Sequence, residues 1–581
     1  MSAITAERAD GRAADALPGE RDLAPAGLRL VPDRGARLVA GGSVLVGGSP
    51  VRVLRLTPAG ARQVEAWFAG VPLPDGTVAR SLARRLLDAG IAHPDLAAGR
   101  PGGAGSVSPA AAPGLARGPA RGPARGPARG PAPSDVTVVI PVRDRHAELD
   151  RCLAGLRGAG LCGAGLCDVA RVIVVDDASA DPTAIARIAA AHGAAVIRRP
   201  VNGGPGAARN TGLAAADTEL VAFLDSDCVP APGWLAGLLP HFADQAVGAV
   251  APRIVPHRAG SGWLARYEGA SSTLDMGARP SVVRPGARVP YVPGAALVVR
   301  RAAAGGGFRS GMHVGEDVDF VWRMSAAGWR VRYEPGAVMG HDHRVTFRAW
   351  FARRADYGTS AAALEELHPG AVRPLYASWW TAGAWAAALS RRPAVAAALT
   401  AAATALLARR LSRVTGEHWP LPAAAPAAAP ATSCASDSGF RPSNAHDNSD
   451  AAPLADNSKN RRDVGLSADR AEAWRLAVCL AGGGTIAAGR PLGSALSRTW
   501  WPLAIPAALA VPKLRAPLAA LILLPPLLDW ADRKPPLDPA RYVAARLLDD
   551  AAYSLGVWQG CVVRRTVRPL LPLIGGKRQP G

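Results

Sequence analysis

The sequence is poor in cysteine and in aromatic residues and lacks an apolar segment near its start. Each of these shortages argues against one class of protein. Its seven cysteines form no CxxC pair and no cysteine–histidine cluster with zinc spacing, which suits a reducing cytosol. Aromatic residues make up 5% of the chain and are not interleaved with a basic helix, so no nucleic-acid partner is expected. The first residues hold no apolar core of a secretory signal, and we therefore expect a cytoplasmic protein.

Acidic residues are also scarce, since 46 of them stand against 67 lysines and arginines and leave a formal net charge of +21. A basic surplus raises the local concentration of polyanions, whether nucleic acid, an anionic membrane surface or acidic ligands. Many of the arginines flank apolar runs. The charge therefore favours association with the inner face of the cell membrane.

Stretches without an apolar period divide the chain into regions. Domains usually hold ~100–200 residues, so 581 residues are too many for a single core. Two tracts of low complexity lack the apolar surface needed to fold. The expected regions are a disordered tail at 1–26, a small α+β domain at 27–95, a Gly/Pro/Arg linker at 96–133, an α/β domain at 134–360, an apolar helical region at 361–419, a low-complexity insertion at 420–463 and an apolar or amphipathic helical region at 464–581.

Within 27–95, short strand-like runs precede two helical segments, the second of which ends at Gly90. This order resembles the winged-helix peptide-recognition elements attached to enzymes that modify ribosomally made peptides. A small packing domain without a ligand is the alternative.

Two apolar regions follow residue 360, and charges and prolines interrupt both. The first carries Trp379, Trp380 and Trp385, and the second is interrupted by Lys513 and Arg515. Each uncharged run is shorter than the ~20 residues of a membrane-spanning helix, and prolines are expected to break the last two runs. Tryptophans beside arginines suit a headgroup interface. We expect interfacial or re-entrant membrane contact, with a helical domain that buries its own core as the alternative.

The region 134–360 opens with two β-branched runs that end in polar residues. VTVVIPVRDR (136–145) and RVIVVDDASAD (171–181) each precede a helical segment. Repeated strand–helix order predicts a parallel α/β sheet whose ligands lie at the carboxyl ends of the strands. The glycine-rich NGGPGAARNTG (202–212) then carries Arg209 into a helix, where glycines let the backbone approach a ligand.

Three carboxylates downstream are candidates for chemistry. The apolar strand ELVAFLDSDCVP (219–230) ends in Asp225 and Asp227, and two carboxylates in alternate positions are able to hold one hard divalent cation with a diphosphate. GEDVDFVWRMSAAGWRV (315–331) predicts an amphipathic helix that begins at an acidic pair. A carboxylate of this pair, Glu316 or Asp317, is placed to take a proton from an incoming hydroxyl, with helix capping by both as the alternative role.

The ordered set VVIPVRDR, VVDDASAD, NGGPGAARNTG, FLDSD and GEDVDF resembles the family 2 glycosyltransferases. The resemblance implies an α/β GT-A fold, beside the small N-terminal winged-helix-like α+β domain and the apolar helical C-terminal region. It also implies an inverting transfer with Asp317 as general base and Mg²⁺ or Mn²⁺ as cofactor. The implied metal ligands are Asp227, Asp225 and His341, the last favoured over His343. The implied nucleotide-sugar contacts are Pro141, Asp176, Asp177, Arg209, Asp225 and Glu316.

The QxxRW box of processive polysaccharide synthases is missing, because the stretch after His343 reads RVTFRAWFARRADYG, so long-chain processive synthesis is not expected. The order of regions along the chain resembles the glycosyltransferases of mycofactocin biosynthesis, with the tracts at 96–133 and 420–463 as insertions. This resemblance implies hexose transfer, glucose from UDP-glucose, to a peptide-derived redox cofactor that gains a short oligosaccharide. The alternatives are a family 2 rhamnosyl- or galactosyltransferase acting on a cell-envelope lipid or glycan, a nucleotide-sugar-binding protein without catalysis, and a peptide-binding scaffold built on 27–95.

Overall fold

The computed structural model describes residues 20–39, 42–96, 130–158, 169, 171–258, 260–343, 346–416, 471 and 474–575. Most of the tail expected at 1–26 and most of the linker expected at 96–133 lie outside the described residues. The insertion expected at 420–463 lies wholly outside them.

The N-terminal region forms a small unit of strands and two helices. β2, β3 and β4 make an antiparallel sheet, and β1 pairs with β5. Gly90 ends the second helix at φ 67°, a left-handed conformation that glycine adopts without a Cβ penalty. Trp67 and Leu86 are buried in the core of this unit. The elements are β1 (Leu30–Pro32), β2 (Arg37–Val39), β3 (Val44–Gly47), β4 (Arg52–Arg55), α1 (Pro58–Phe68), α2 (Thr77–Ala89) and β5 (Ala92–Pro94).

The central region is a nine-stranded sheet with helices on both faces. Its strands are β6 (Val136–Val142), β7 (Arg171–Asp177), β8 (Ala195–Arg199), β9 (Leu220–Leu224), β10 (Cys228–Pro230), β11 (Val247–Pro256), β12 (Ser281–Val282), β13 (Ala296–Arg300) and β14 (Arg330–His341). The spatial order is β10-β14-β11-β13-β9-β6-β7-β8, and β12 pairs with β14. Its helices are α3 (His146–Gly158), α4 (Pro182–Ala191), α5 (Gly204–Ala215), α6 (Trp234–Leu238), α7 (Trp263–Ser271), α8 (Glu316–Ala326) and α9 (Phe347–Leu367).

The sheet is parallel only in part. The run β9-β6-β7-β8 is parallel, as the strand–helix order predicts, but β13 lies antiparallel between β9 and β11. The prediction of a parallel sheet is therefore wrong for β13, β10 and β12, whereas β11 and β14 pair parallel. β13 is buried along its whole length, as a parallel strand would be, so its apolar run does not reveal its direction.

The described part of the C-terminal region is helical and includes a short strand pair, β15 (Tyr376–Ala377) and β16 (Leu573–Ile574). Its helices are α10 (Trp379–Leu389), α11 (Pro393–Gly416), α12 (Gly483–Ala487), α13 (Gly489–Arg498), α14 (Trp501–Ala510), α15 (Pro512–Arg533) and α16 (Pro539–Val563).

The prolines inside α14 and α15 do not end these helices, although α14 ends at Ala510, shortly before Pro512 begins α15. Helix α15 runs unbroken through Pro517, Pro525 and Pro526, so the prediction of breaks is wrong for the second apolar run. An interior proline removes one N–H donor and displaces one carbonyl, which bends a helix without having to end it. Within the described residues, Pro393–Ser412 and Pro512–Arg533 are long and apolar enough to cross a membrane by length and composition alone, and both are mostly exposed.

Helices α9 and α16 contact each other backbone to backbone. Gly358, Gly556 and Gly560 lie at this contact, and a Cβ added to Gly560 would stand 2.6 Å from the carbonyl oxygen of Thr359. Small residues permit such close approach because no side chain separates the two backbones. The last long helix of the chain is thereby fixed to the central region.

A buried ionic cluster reinforces the same contact. Arg354 of α9 pairs with Glu268 of α7, and its Nε lies 2.9 Å from Asp549 Oδ1 on α16. Tyr267 donates a hydrogen bond of 2.9 Å to the same aspartate. Because a buried charge without its partner is costly, these pairings favour one arrangement of the three helices.

The N-terminal unit is joined to the central region by ion pairs. Arg84 donates to Asp244 at 2.6 Å in a buried pair. Arg288, in the segment before β13, donates to both carboxylate oxygens of Asp33 at 2.9 and 3.0 Å. The small unit thus touches the segment that leads into β13.

Candidate active site

A cavity of about 760 Å³ lies where the carboxyl ends of β6, β7 and β9 approach α8 and α9. Ligands of α/β sheets usually bind at such strand ends. Most of the residues expected at the site line it, namely Pro141, Asp177, Arg209, Asp225, Asp227, Glu316, Asp317 and His341.

The two carboxylates that end β7 differ in position. Asp176 is 1% exposed, does not line the cavity and pairs with Arg198, so the structure does not support a direct contact with a nucleoside. Asp177 does line the cavity and accepts hydrogen bonds from the amides of Gly203 and Gly204 at 3.1 and 2.8 Å. The first amides of the glycine-rich segment therefore donate to Asp177.

Arg209 of α5 bridges two carboxylates at the centre of the site. Its guanidinium donates to Asp225 Oδ1 at 2.6 Å and to Glu316 Oε1 at 2.9 Å. Burial disfavours the charge of Arg209, but the two carboxylates hold its pKa above the ordinary value. Burial and the neighbouring Asp317 raise the pKa of Glu316 to about 7, against the opposing charge of Arg209.

Asp227 and His341 face each other where β10 meets β14. Asp227 Oδ1 lies 3.5 Å from His341 Nε2, and the other carboxylate oxygen pairs with Arg145. Burial alone would raise the pKa of Asp227, but His341 and Arg145 outweigh it and keep that pKa below its usual value. A carboxylate oxygen and an imidazole nitrogen within reach of one ion form a donor set that fits a divalent cation.

Three nearby residues, Cys228, Asp225 and His343, differ from Asp227 and His341 in their pKa shifts or in their partners. The Sγ of Cys228 is within reach of the same ion, and burial raises the pKa of this thiol well above its usual value. Asp225 lies outside the group and is paired with Arg209, so this arrangement does not support it as a shared ligand. Burial lowers the pKa of His343 to about 4, which keeps its ring neutral at physiological pH.

Asp317 lies in the first turn of α8, with its carboxylate oriented by two backbone amides. Oδ2 accepts from the Gly294 amide at 2.7 Å, and Oδ1 accepts from the Val318 amide at 2.8 Å. Gly315, at φ 82°, is the N-cap of this helix. A carboxylate held in this way beside a cavity is placed to accept a proton from a bound hydroxyl.

The same cavity is also lined by residues that the sequence patterns missed. We call five of them the distal wall: Tyr291, Arg353, Tyr357, Arg498 and Tyr553. They come from the segment before β13 and from α9, α13 and α16. The available signal was GVWQG at 556–560, whose two glycines four residues apart permit close helix packing.

Comparison with known proteins gives consistent matches. The Glycosyl transferase family 2 profile matches residues 137–304. A pre-mycofactocin glycosyltransferase of Mycobacterium tuberculosis is 37% identical over 568 residues, which cover 95% of this chain and 98% of that protein. An O-antigen chain rhamnosyltransferase of Salmonella anatum is 27% identical over 195 residues, 32% of this chain and 61% of that protein. A solved mannosyltransferase of Pyrobaculum calidifontis, in complex with GDP-Man and Mn²⁺, has 23% identity and a TM-score of 0.32 and covers 47% of this chain and 77% of its own.

Proposed function

We propose a function for this chain from the premise that it belongs to the pre-mycofactocin glycosyltransferases, within glycosyl transferase family 2. It is a glycosyltransferase with the GT-A fold. The proposed reaction is inverting transfer of glucose from UDP-glucose to a peptide-derived redox cofactor, repeated to build a short oligosaccharide. The observation that carries it is that Asp317 lines the same cavity as Arg209, Asp225 and Asp227.

In this reaction Asp317 takes the proton of the acceptor hydroxyl. The acceptor oxygen forms a bond to the anomeric carbon while the bond from that carbon to the diphosphate oxygen breaks. Attack and departure occur on opposite faces, so the configuration inverts and no nucleophilic residue is needed. The amides of Gly294 and Val318 fix the carboxylate before the acceptor arrives, which lowers the entropic cost of alignment.

The departing nucleotide diphosphate needs positive charge around it. We call the part of the cavity formed by Asp177, Arg209, Asp225, Asp227 and His341 the donor side. Arg145 and Arg209 line it as fixed cations. Asp227 and His341 are the residues that would hold the divalent cation. Mg²⁺ or Mn²⁺, when bound, supplies further neutralisation of the diphosphate.

A purified-enzyme assay tests the proposal. The protein is incubated with Mn²⁺ and, in turn, UDP-glucose, GDP-mannose or dTDP-rhamnose, with either pre-mycofactocin or an envelope-lipid extract as acceptor. Mass spectrometry should find hexose added to pre-mycofactocin from UDP-glucose, and no addition with Asp317→Asn. Addition to the lipid extract alone would transfer the assignment to the envelope acceptor, the second candidate favoured by the partial likeness to a rhamnosyltransferase.

The exposed surface of α14 and α15 supports a location on the membrane. Leu503 and Leu509 are 59% and 69% exposed, and the cations Lys513 and Arg515 are exposed beside them. Apolar side chains flanked by cations suit an anionic headgroup layer. Sedimentation with phosphatidylglycerol vesicles should fall when both leucines become glutamine. The exposed Val78 of α2, changed to glutamine, is the control, and unchanged binding in the double variant would contradict the surface assignment.

A further inference from the structure

Trp322 lies on α8, five residues after Asp317, and lines the cavity. It is 5% exposed, and its Nε1 donates a hydrogen bond of 2.7 Å to the carbonyl oxygen of Pro290. A buried indole N–H without a partner costs free energy, so this bond favours a fixed distance between α8 and Pro290. Pro290 has no N–H of its own, and its carbonyl is therefore the group through which α8 holds it.

Pro290 begins a short segment that ends at a backbone partner of the general base. Gly294, four residues later, donates its amide to Asp317 Oδ2 at 2.7 Å. Hydrogen bonds thus join both ends of segment 290–294 to α8, one through Trp322 and one through Asp317. The segment reads PYVPG, and each of its two prolines fixes one backbone dihedral. The carbonyl at one end and the amide at the other are therefore held in a defined relation.

Gly294 passes close to the carboxylate that it holds. A Cβ added to Gly294 would stand 3.1 Å from Asp317 Cβ and 3.1 Å from Arg209 Nη2, which is closer than ordinary van der Waals contact. The absence of a side chain lets the backbone run this close to both groups. A shift of segment 290–294 would therefore also change the position of the Asp317 carboxylate.

The indole of Trp322 is held from behind by a buried ionic group. The ring of His368, at the end of α9, meets it edge-on, with ring centres 5.1 Å apart. His368 Nε2 lies 3.0 Å from Asp319 Oδ1, and Asp319 is fully buried. Arg323 contacts the other carboxylate oxygen of Asp319 at 2.8 Å. Because a buried charge without its partners is costly, this group favours one orientation of the indole.

We propose that Trp322 is a positioning residue for the general base. Through the Pro290 carbonyl it fixes segment 290–294, and through the Gly294 amide that segment orients the Asp317 carboxylate toward the bound hydroxyl. Trp322 neither takes nor gives a proton in this role. Misplacement of a reacting group by 1 Å lowers a rate on the order of 10²-fold, so the contact matters for turnover. The inference rests on the proposed function, in which Asp317 accepts the proton of the acceptor hydroxyl.

Two tryptophan-to-phenylalanine variants of the full-length protein test the role. Trp322→Phe keeps an aromatic ring and removes the N–H donor. With UDP-glucose, Mn²⁺ and pre-mycofactocin, its kcat should fall roughly tenfold, while the KM for acceptor and the affinity for UDP stay within about twofold of wild type.

Trp530→Phe is the matched control for this loss. Trp530 donates a hydrogen bond of 2.8 Å to the carbonyl oxygen of Leu537 and does not line the cavity. Each variant loses one indole N–H bond to a backbone carbonyl, so thermal unfolding should report similar losses of stability. Turnover should fall in Trp322→Phe alone. Equal turnover in the two variants would overturn the proposal.

A double variant shows whether the effect passes through Asp317. Adding Trp322→Phe to Asp317→Asn should lower the residual turnover by less than about twofold, because no general base is left to orient. A further fall of roughly tenfold in the double variant would mean that Trp322 acts on a substrate or by another route, and this result would overturn the positioning role.

Hydrogen–deuterium exchange gives a readout that needs no catalysis. The Gly294 amide is bonded to Asp317, so a peptide covering 291–296 should exchange faster in Trp322→Phe and at the wild-type rate in Trp530→Phe. Unchanged exchange in Trp322→Phe would overturn the proposal, because Trp322 would then not hold the segment. Failure of the wild type to transfer glucose would count against the proposed function, whereas the exchange rates would still decide whether Trp322 fixes segment 290–294.

Discussion

The two halves of the cavity are built in different ways. The donor side is made by Asp177, Arg209, Asp225, Asp227 and His341, which stand at strand ends or in the helix that follows a strand. The distal wall is assembled from one segment and three helices spread between residues 291 and 553. The donor side is therefore set by local motifs, whereas the distal wall depends on tertiary packing.

Because the two halves are built from different elements, a substitution in one half should leave the function of the other half unchanged. A change on the donor side should alter UDP binding, and a change in the distal wall should alter use of the acceptor alone. Asp317 stands at the junction, because its carboxylate accepts a hydrogen bond from the amide of Gly294, in the segment that also carries Tyr291 of the distal wall. It should affect the rate without affecting binding of either substrate.

The largest effect is expected from Asp317→Asn. The amide keeps the shape of the carboxylate but cannot take the acceptor proton, so kcat should fall by about 10³-fold, within the range of general-base catalysis. Release of UDP in the presence of acceptor measures it, and UDP affinity should stay within about twofold. Asp217→Asn, an exposed change outside the cavity, is the control. Near wild-type turnover in Asp317→Asn would assign the proton transfer to another group.

Asp227→Asn should weaken binding at the donor side and leave the distal wall unchanged. Outer-shell partners of metal ligands are worth about 10–100-fold in metal affinity, and a direct ligand should be worth no less. Calorimetry should show UDP affinity falling by roughly tenfold or more in the variant. Chelation of metal should have the same effect on the wild type, reversed by Mn²⁺, and little further effect on Asp227→Asn. If the variant kept the wild-type response to Mn²⁺, Asp227 would not be a ligand of the metal.

Gly556→Ala should displace α16, the helix that carries Tyr553 of the distal wall. The new Cβ would overlap the carbonyl of Ala355, so α16 must shift, and overpacking of this kind costs about 1–3 kcal/mol. Urea unfolding should report this loss, and transfer should fall while UDP affinity persists. Gly483→Ala in α12 is the matched control, because its Cβ would meet no atom within 4 Å and should be neutral or stabilising. Equal stability of the two variants would contradict the close contact.

The same contrast explains what the sequence could predict. The strands that end at Val142, Asp177 and Leu224 were readable because an apolar run followed by polar residues is a local pattern. The general-base candidate Asp317 followed from the resemblance of GEDVDF to the motif of family 2 glycosyltransferases. The partners of Tyr553 were not readable, since its place depends on contact between helices about two hundred residues apart in sequence, as Gly358 and Gly556 are. The antiparallel direction of β13 was not predicted for a similar reason, because that direction is set by pairing with β9 and β11, which are distant in sequence.

The smallest expected effect comes from the N-terminal unit. Arg288 donates to Asp33 there, and the same segment carries Tyr291 of the distal wall and Gly294, the partner of Asp317. Asp33→Asn should raise the KM for acceptor by roughly threefold, because only part of the ~1.5–3 kcal/mol of a charged hydrogen bond reaches the site. UDP affinity should not change. Steady-state kinetics at varied acceptor measure the split.

A pH series sharpens this last prediction. Burial alone would raise the pKa of Asp33, but hydrogen bonds from His93 and Arg288 outweigh it and hold that pKa well below its usual range. A carboxyl group of this kind stabilises the folded state above its unfolded pKa of about 3.9, and the stabilisation is lost as the pH falls below that value. The difference in unfolding free energy between wild type and Asp33→Asn should therefore be constant near neutral pH and shrink in acid. Asp75→Asn, an exposed partner of Arg80, should show no such trend. A wild-type KM in Asp33→Asn combined with this pH trend would mean that the contact stabilises the fold without positioning the distal wall.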